Sequence, residues 1–195
     1  MSQVSLYDAL KSSYGDKQAR DKLSNSGYKY DSMLSNHNQQ VWYNPNEKKL
    51  LYNVAGTHNL SDWGTDAYLA AGKLKDTNRY KEADEKLKQA KQKYGGYNTT
   101  VTGHSLGSTI ANQIASKNNG DKVYALDGGF TFGQKISTNP NWHNYRTSGD
   151  AVSLLGTYLP GMKTLANKNR STGFLAADVL KAHDIDNIKN EKIYV

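Results

Sequence analysis

Apolar residues along the chain follow two spacings, one of three to four residues and one of runs too short for a helix. Tyr80, Ala83, Leu87, Ala90 and Tyr94 recur at the period of a single helix face. The pairs Glu82→Lys86 and Asp84→Lys88 lie on the opposite side, and Gly95-Gly96 ends the run. Residues 4–14 and 16–25 predict two shorter helices, punctuated by Asp16 and by Ser24-Asn25-Ser26-Gly27. Gln40–Tyr43 and Leu50–Ala55 read as strands, joined by the turn chemistry of Asn44-Pro45-Asn46-Glu47. Leu60–Lys75 reads as a helix starting near Ser61 or Asp62. Beyond Gly96 the pattern predicts strand Thr99–Thr102, helix Ser108–Lys117, strands Lys122–Leu126 and Asn144–Thr147, and a helical tail from Phe174 to about Ala182. Strands alternating with helices predict an α/β fold with a largely parallel sheet.

Composition narrows the picture. A length of 195 residues suits one compact domain, and 14 Tyr within a 10% aromatic content argue against disorder. No apolar run approaches the roughly 18 residues that a membrane span requires. Met1–Ser5 has neither a basic nor an apolar leader region, so no secretory signal is expected. The absence of Cys excludes disulfides, thiolate zinc sites and thiol nucleophiles, and leaves the redox compartment open. Twenty-five Lys and Arg against 18 Asp and Glu leave a net charge of +7. These charges are scattered, and Arg occurs only at positions 20, 79, 146 and 170, so nucleic acid is not the expected partner. A solvated surface is the first reading, with attraction to anionic lipid the second.

Candidate chemistry centres on Gly103-His104-Ser105-Leu106-Gly107, which fits G-x-S-x-G. Here a strand must turn into a helix so sharply that the serine occupies strained backbone with its hydroxyl exposed. Side chains two residues to either side would strike the neighbouring strand and helix, so glycine is required there. Tyr97–Thr102 supplies the strand and Ser108–Ala115 the helix, whose N-terminus favours developing negative charge. The competing readings are a plain Gly-rich strand-to-helix turn and, at Gly107-Ser108-Thr109, a phosphate loop, which lacks the lysine such a loop needs.

A serine nucleophile requires a base and an orienting acid, in the chain order Ser, acid, His. Only His143 and His183 follow Ser105. His183 lies in the last stretch, where a loop can return over the strand ends, whereas His143 is expected at the opposite edge of the sheet. His37, His58 and His104 precede the serine and read as ordinary surface or core residues. Asp150 follows the strand Asn144–Thr147 and is the favoured acid. Asp127 also follows a strand and is its competitor; before Gly128-Gly129 it otherwise reads as a turn residue capping its own backbone. For the oxyanion, Leu106 offers one backbone N–H and Thr57, after Gly56, offers another.

Val101–Gly107 resembles the elbow of the class 3, fungal-type lipases. Val54-Ala55-Gly56-Thr57 followed by Asp62-Trp63-Gly64-Thr65-Asp66 is similar to that family's oxyanion strand and Trp-containing lid. Phe130-Thr131-Phe132-Gly133-Gln134 matches its T-F-G-Q stretch, and Ser148-Gly149-Asp150-Ala151-Val152 its acid loop, with Ala151 where Pro is usual. The resemblance covers roughly residues 40–190. It implies an α/β-hydrolase fold, a triad of Ser105, Asp150 and His183, and esterase or lipase activity on acylglycerols or phospholipids. It implies no metal and no organic cofactor, and lipid or ester as the substrate. The rival expectation is a lipid-surface binding protein that keeps the fold without turnover. Residues 58–69, with Leu60, Trp63, Tyr68 and Leu69 among polar neighbours, are expected either to form a mobile lid or to pack as a core helix.

Overall fold

The computed structural model describes residues 3–57, 73–117, 120–129, 139–154, 161–167 and 181–195. Two helices open it, α1 (Leu6–Ser13) and α2 (Lys17–Asn25). The hydroxyl of Ser5 and the carboxylate of Asp16 cap them, accepting from the amides of Asp8 and Ala19. Seven strands follow: β1 (Lys29–Tyr30), β2 (Gln39–Asn44), β3 (Lys49–Val54), β4 (Asn98–His104), β5 (Lys122–Leu126), β6 (Trp142–Thr147) and β7 (Met162–Leu165). Between β3 and β4 runs α3 (Asn78–Lys93), capped by Thr77, and between β4 and β5 runs α4 (Leu106–Ala115).

The strands form one sheet in sequential order, β1 to β7. β1, β2 and β3 pair antiparallel, and every later pair is parallel. The expectation of a largely parallel sheet therefore holds, with β1 and β7 as strands that the sequence pattern did not reveal. Sequential order has a consequence for packing. Parallel crossovers are right-handed, so successive crossovers stepping in one direction place their helices on the same face. α3 and α4 accordingly pack against Leu50, Tyr52, Val54, Val101 and Val123. Among the described residues, the other face is covered by α1, α2 and the segment 181–195. Leu6, Leu10, Ile185 and Ile188 pack on Leu126 and Tyr145, and Ala9 and Leu23 pack with Trp42 and Leu51. Along β3 this gives strict alternation, with Leu50, Tyr52 and Val54 on one side and Leu51 on the other. Asn53 shares the second side and donates to the Ala9 carbonyl, so one buried polar strand residue is satisfied by α1.

Most of the expected helix over 60–75, the T-F-G-Q stretch at 130–134 and most of the helical tail fall outside the described residues, as does the 58–69 segment expected as a lid or a core helix; of the first, Leu74–Asp76 is described and forms a 3-10 turn. Among the described residues, no helix is long and apolar enough to cross a membrane.

Candidate active site

Ser105 stands between the last residue of β4 and the first of α4, with φ 57° and ψ −129°. That backbone is costly for a residue with a Cβ and persists only where the surroundings enforce it. The enforcement is steric on both sides. A Cβ on Gly103 would collide with the Gly107 carbonyl, and one on Gly107 would collide with the carbonyls of Val54 and Ala55. The Ser105 amide donates to the Leu126 carbonyl at 3.0 Å, tying the turn to β5. Leu106, first in α4, contributes one of the amides that no helix carbonyl can satisfy.

The end of β3 closes on this turn. A Cβ on Gly56 would lie 2.8 Å from the His104 carbonyl and 3.0 Å from Ser105 Cβ, so glycine is what lets the Gly56-Thr57 backbone approach the serine. Two side chains hold it there. Arg79 of α3 donates to the carbonyls of Ala55, at 2.6 Å, and Gly56. From the other side the Gly56 amide donates to the Tyr14 hydroxyl at 2.8 Å.

Tyr14 also bonds His104 Nδ1 at 2.9 Å, and His104 Nε2 lies 2.9 Å from the His183 carbonyl. Directions in this chain follow from the chemistry of its ends. A carbonyl can only accept, so His104 Nε2 carries the hydrogen, Nδ1 accepts, and the Tyr14 O–H donates. Full burial, reinforced by the charge of His183 nearby, depresses His104 to about 3 and keeps it neutral. The His104 and His183 rings lie 4.6 Å apart. His183 is thus seated on the residue preceding Ser105. Its backbone is fixed by Asn187, which donates to the carbonyls of Lys181, Ala182 and Asp184.

The acid comes from the loop after β6. Asp150 is fully buried, and its Oδ1 lies 2.9 Å from His183 Nδ1. Its Oδ2 accepts from the Ser153 amide at 2.9 Å and, at 2.5 Å, from the Ser153 hydroxyl. Burial opposes its ionisation, but the bond and charge of His183 and the Ser153 donors outweigh it and hold Asp150 below the ordinary carboxylate range. Arg146 braces the loop by donating to the carbonyls of Ser153 and Asp150.

Asp127 directly follows β5 beside the serine, with φ 51°. The expectation that it caps its own backbone is corrected here. Its carboxyl reaches across to β6, accepting from the Thr147 amide and, at 2.8 Å, from the Thr147 hydroxyl. The cause is geometric: its left-handed backbone at the strand end turns the side chain toward the neighbouring strand. Burial, with the charge of Asp150 adding to it, pushes Asp127 up to about 7. His104, Asp127 and His183 have ligand-type atoms within 4.8 Å of one another. His104 and Asp127 are already committed to the hydrogen bonds above, so the cluster reads as a polar network and not as a metal cage.

Residues 50–148, just over half of the chain, match the sequence model of the family described as lipase (class 3). The chain belongs to the class 3 lipases. No curated protein matches it by sequence. Among solved structures, this class 3 lipase is similar to a mutant form of MDLA from Penicillium cyclopium. The two share 15% identity and a TM-score of 0.52, over 90% of this chain and 81% of that one. It is also similar to a deletion mutant of Rhizomucor miehei lipase in its propeptide complex. There the identity is 14% and the TM-score 0.53, over 93% of this chain and 75% of the other. At such identities the likeness establishes the shared α/β-hydrolase fold.

Within this class 3 lipase the sequence-derived candidates are brought together: Ser105 at the turn, Leu106 and the Gly56-Thr57 segment beside it, and Asp150 bonded to His183. His143 lies near the start of β6, stacked on Tyr124 and remote from the turn. Tyr14, Arg79, Ser153 and Asn187 were not foreseen. His104, expected as an ordinary histidine, instead links Tyr14 to the His183 carbonyl, and its position inside the G-x-S-x-G turn is the sequence signal for that role.

Proposed function

We propose that this class 3 lipase hydrolyses carboxylic esters of lipids through an acyl-enzyme on Ser105. The observation that carries this reading is the 2.9 Å bond between Asp150 and His183 Nδ1, beside a serine held in the strained turn. With Nδ1–H committed to Asp150, the His183 tautomer leaves Nε2 as the basic nitrogen. His183 takes the Ser105 proton as Oγ attacks the ester carbonyl. The amides of Thr57 and Leu106 stabilise the oxyanion that develops. His183 then returns the proton to the departing alkoxide, and water releases the acid by the same steps in reverse. Asp150 stays ionised and stabilises the imidazolium. Acylglycerols or phospholipids are the substrate class, and Leu154, 55% exposed beside the acid loop, suits contact with a lipid surface. The net charge of +7 favours an anionic one.

The test is covalent. A serine-reactive phosphonate should label Ser105 and abolish hydrolysis of a p-nitrophenyl ester, and Ser105→Ala should remove both. An unlabelled wild type that still binds anionic vesicles would instead identify a lipid-binding protein without turnover.

A further inference from the structure

Two buried carboxyls flank one hydroxyl at the base of the site. Ser153 Oγ lies 2.5 Å from Asp150 Oδ2 and 3.3 Å from Asp127 Oδ1. A serine hydroxyl carries a single hydrogen. The short contact and the ionised partner assign it to Asp150. The contact to Asp127 then joins two oxygens with no hydrogen between them, unless Asp127 supplies one. The Thr147 amide donates to that same Oδ1 and the Thr147 hydroxyl to Oδ2, so a proton on Asp127 Oδ1 shares its oxygen with the amide bond and has Ser153 Oγ as its acceptor.

The surrounding charges agree. The titratable groups facing Asp127 are Asp150 from the acid loop, His183 from the tail and His104 from β4. His104 is neutral, and His183 already serves Asp150. Arg146 reaches the same loop from β6 but spends its donors on the carbonyls of Ser153 and Asp150. Thus no cation is devoted to a second negative charge among the described residues.

We propose that Asp127 is a positioning residue that holds its proton while Asp150 is ionised. Through Ser153 it fixes the carboxylate that orients His183. The chain runs Asp127 O–H to Ser153 Oγ, Ser153 O–H to Asp150 Oδ2, and His183 Nδ1–H to Asp150 Oδ1. Nothing is consumed: Asp127 keeps its proton through turnover and acts only through Asp150. The role rests on the triad reading above. When pH rises past neutrality Asp127 ionises, two carboxylates then face each other across one hydroxyl, and Asp150 is driven from the geometry His183 needs.

The experiment follows carboxyl 13C shifts in the full-length protein between about pH 4 and 9. One aspartate should titrate near neutrality, disappear in Asp127→Asn, and leave the Asp150 signal ionised throughout. In parallel, kcat on a soluble p-nitrophenyl ester should decline at alkaline pH in the wild type. Asp127→Asn should flatten that decline while lowering kcat about tenfold with KM unchanged, the effect of one neutral hydrogen bond. Ser153→Ala should cost a similar factor, and the double variant should be no worse than either single one. Titration of Asp127 in the ordinary carboxylate range, or additive losses in the double variant, would overturn the proposal. So would a collapse in Asp127→Asn as deep as that of Asp150→Asn. If Ser105 resists the phosphonate, the hydrolase reading falls by itself, and the carboxyl titration still decides where the proton sits.

Discussion

Tyr14→Phe removes one oxygen atom and breaks two hydrogen bonds, those from the Gly56 amide and to His104 Nδ1. Gly56 and His104 are both buried, so neither orphaned group can turn to bulk water. Each then costs about 1–3 kcal/mol, and partial relaxation places the pair at about 2–4 kcal/mol. For a chain of this size each kcal/mol moves Tm by about 3 °C, so a fall of about 6–12 °C is expected. Catalysis should suffer through a different route. Gly56 precedes Thr57, and loss of a whole oxyanion donor costs about 10²–10³-fold in kcat. With Arg79 still holding the carbonyl side of the segment, the loosened donor should cost about 10–100-fold. KM for a short soluble ester should hardly move, because the interaction matters only once the oxyanion forms. Thermal melts and steady-state kinetics on purified variants measure both effects. A variant that melts within about 2 °C of the parent and keeps its kcat within about twofold would show that the hydroxyl bridges nothing of consequence. A double-mutant cycle with His104→Gln isolates the shared term and should show coupling of at least about 1 kcal/mol.

Asp150→Asn should lower kcat by up to about 10⁴-fold, since the amide favours the wrong imidazole tautomer, with the melting temperature as the control for folding. Ser105→Gly should be more stable than Ser105→Ala by about 1 kcal/mol in urea unfolding, because glycine relieves the positive φ; equal stabilities would mean the turn is unstrained. His104 stays neutral in the folded protein down to about 3, whereas the unfolded chain protonates near its ordinary value. The unfolded state therefore binds more protons below about pH 6.5, and stability falls with pH between about 6.5 and 3, by at most about 1.4 kcal/mol per unit. His104→Gln, which keeps one donor and one acceptor, should flatten that slope in acid-unfolding curves.

What the sequence makes legible is local. The face of α3, the turn residues after β2 and the glycines that bracket Ser105 all announce themselves by spacing, because helix period and steric exclusion act over a few residues. Ser105 and Asp150 stand out for the same reason, since each follows a recognisable strand. β7 escaped because Met-Lys-Thr-Leu is a short edge strand, partly exposed and without alternation, whose order comes from pairing with β6. β1 is two residues long and equally silent. The partners of the site, Tyr14 to His104 and Asp127 to Thr147, join positions 90 and 20 residues apart. No periodicity encodes such contacts; they exist only once the sheet order is fixed. Asp127 looked like a competitor for the acid role because its strand-end position is equivalent to that of Asp150. The structure separates the two by their partners: Asp150 bonds His183 Nδ1, whereas Asp127 accepts from Thr147.

Because the sequential sheet leaves one face to α1, α2 and residues 181–195, the site draws on segments made well before and well after the strand that carries the serine. Tyr14 emerges from the ribosome long before β4, and His183 follows only after the whole sheet has been made. Domains form from the N-terminus forward as chains elongate. A nascent chain can therefore complete the strained serine turn before it holds His183, the base of the proposed mechanism. On the proposed mechanism, hydrolysis awaits the docking of Ile185 and Ile188 against Leu126 and Tyr145, which brings His183 onto His104. On that mechanism, acquisition of activity reports the docking of residues 181–195, and a chain arrested before them keeps a serine without its proposed base.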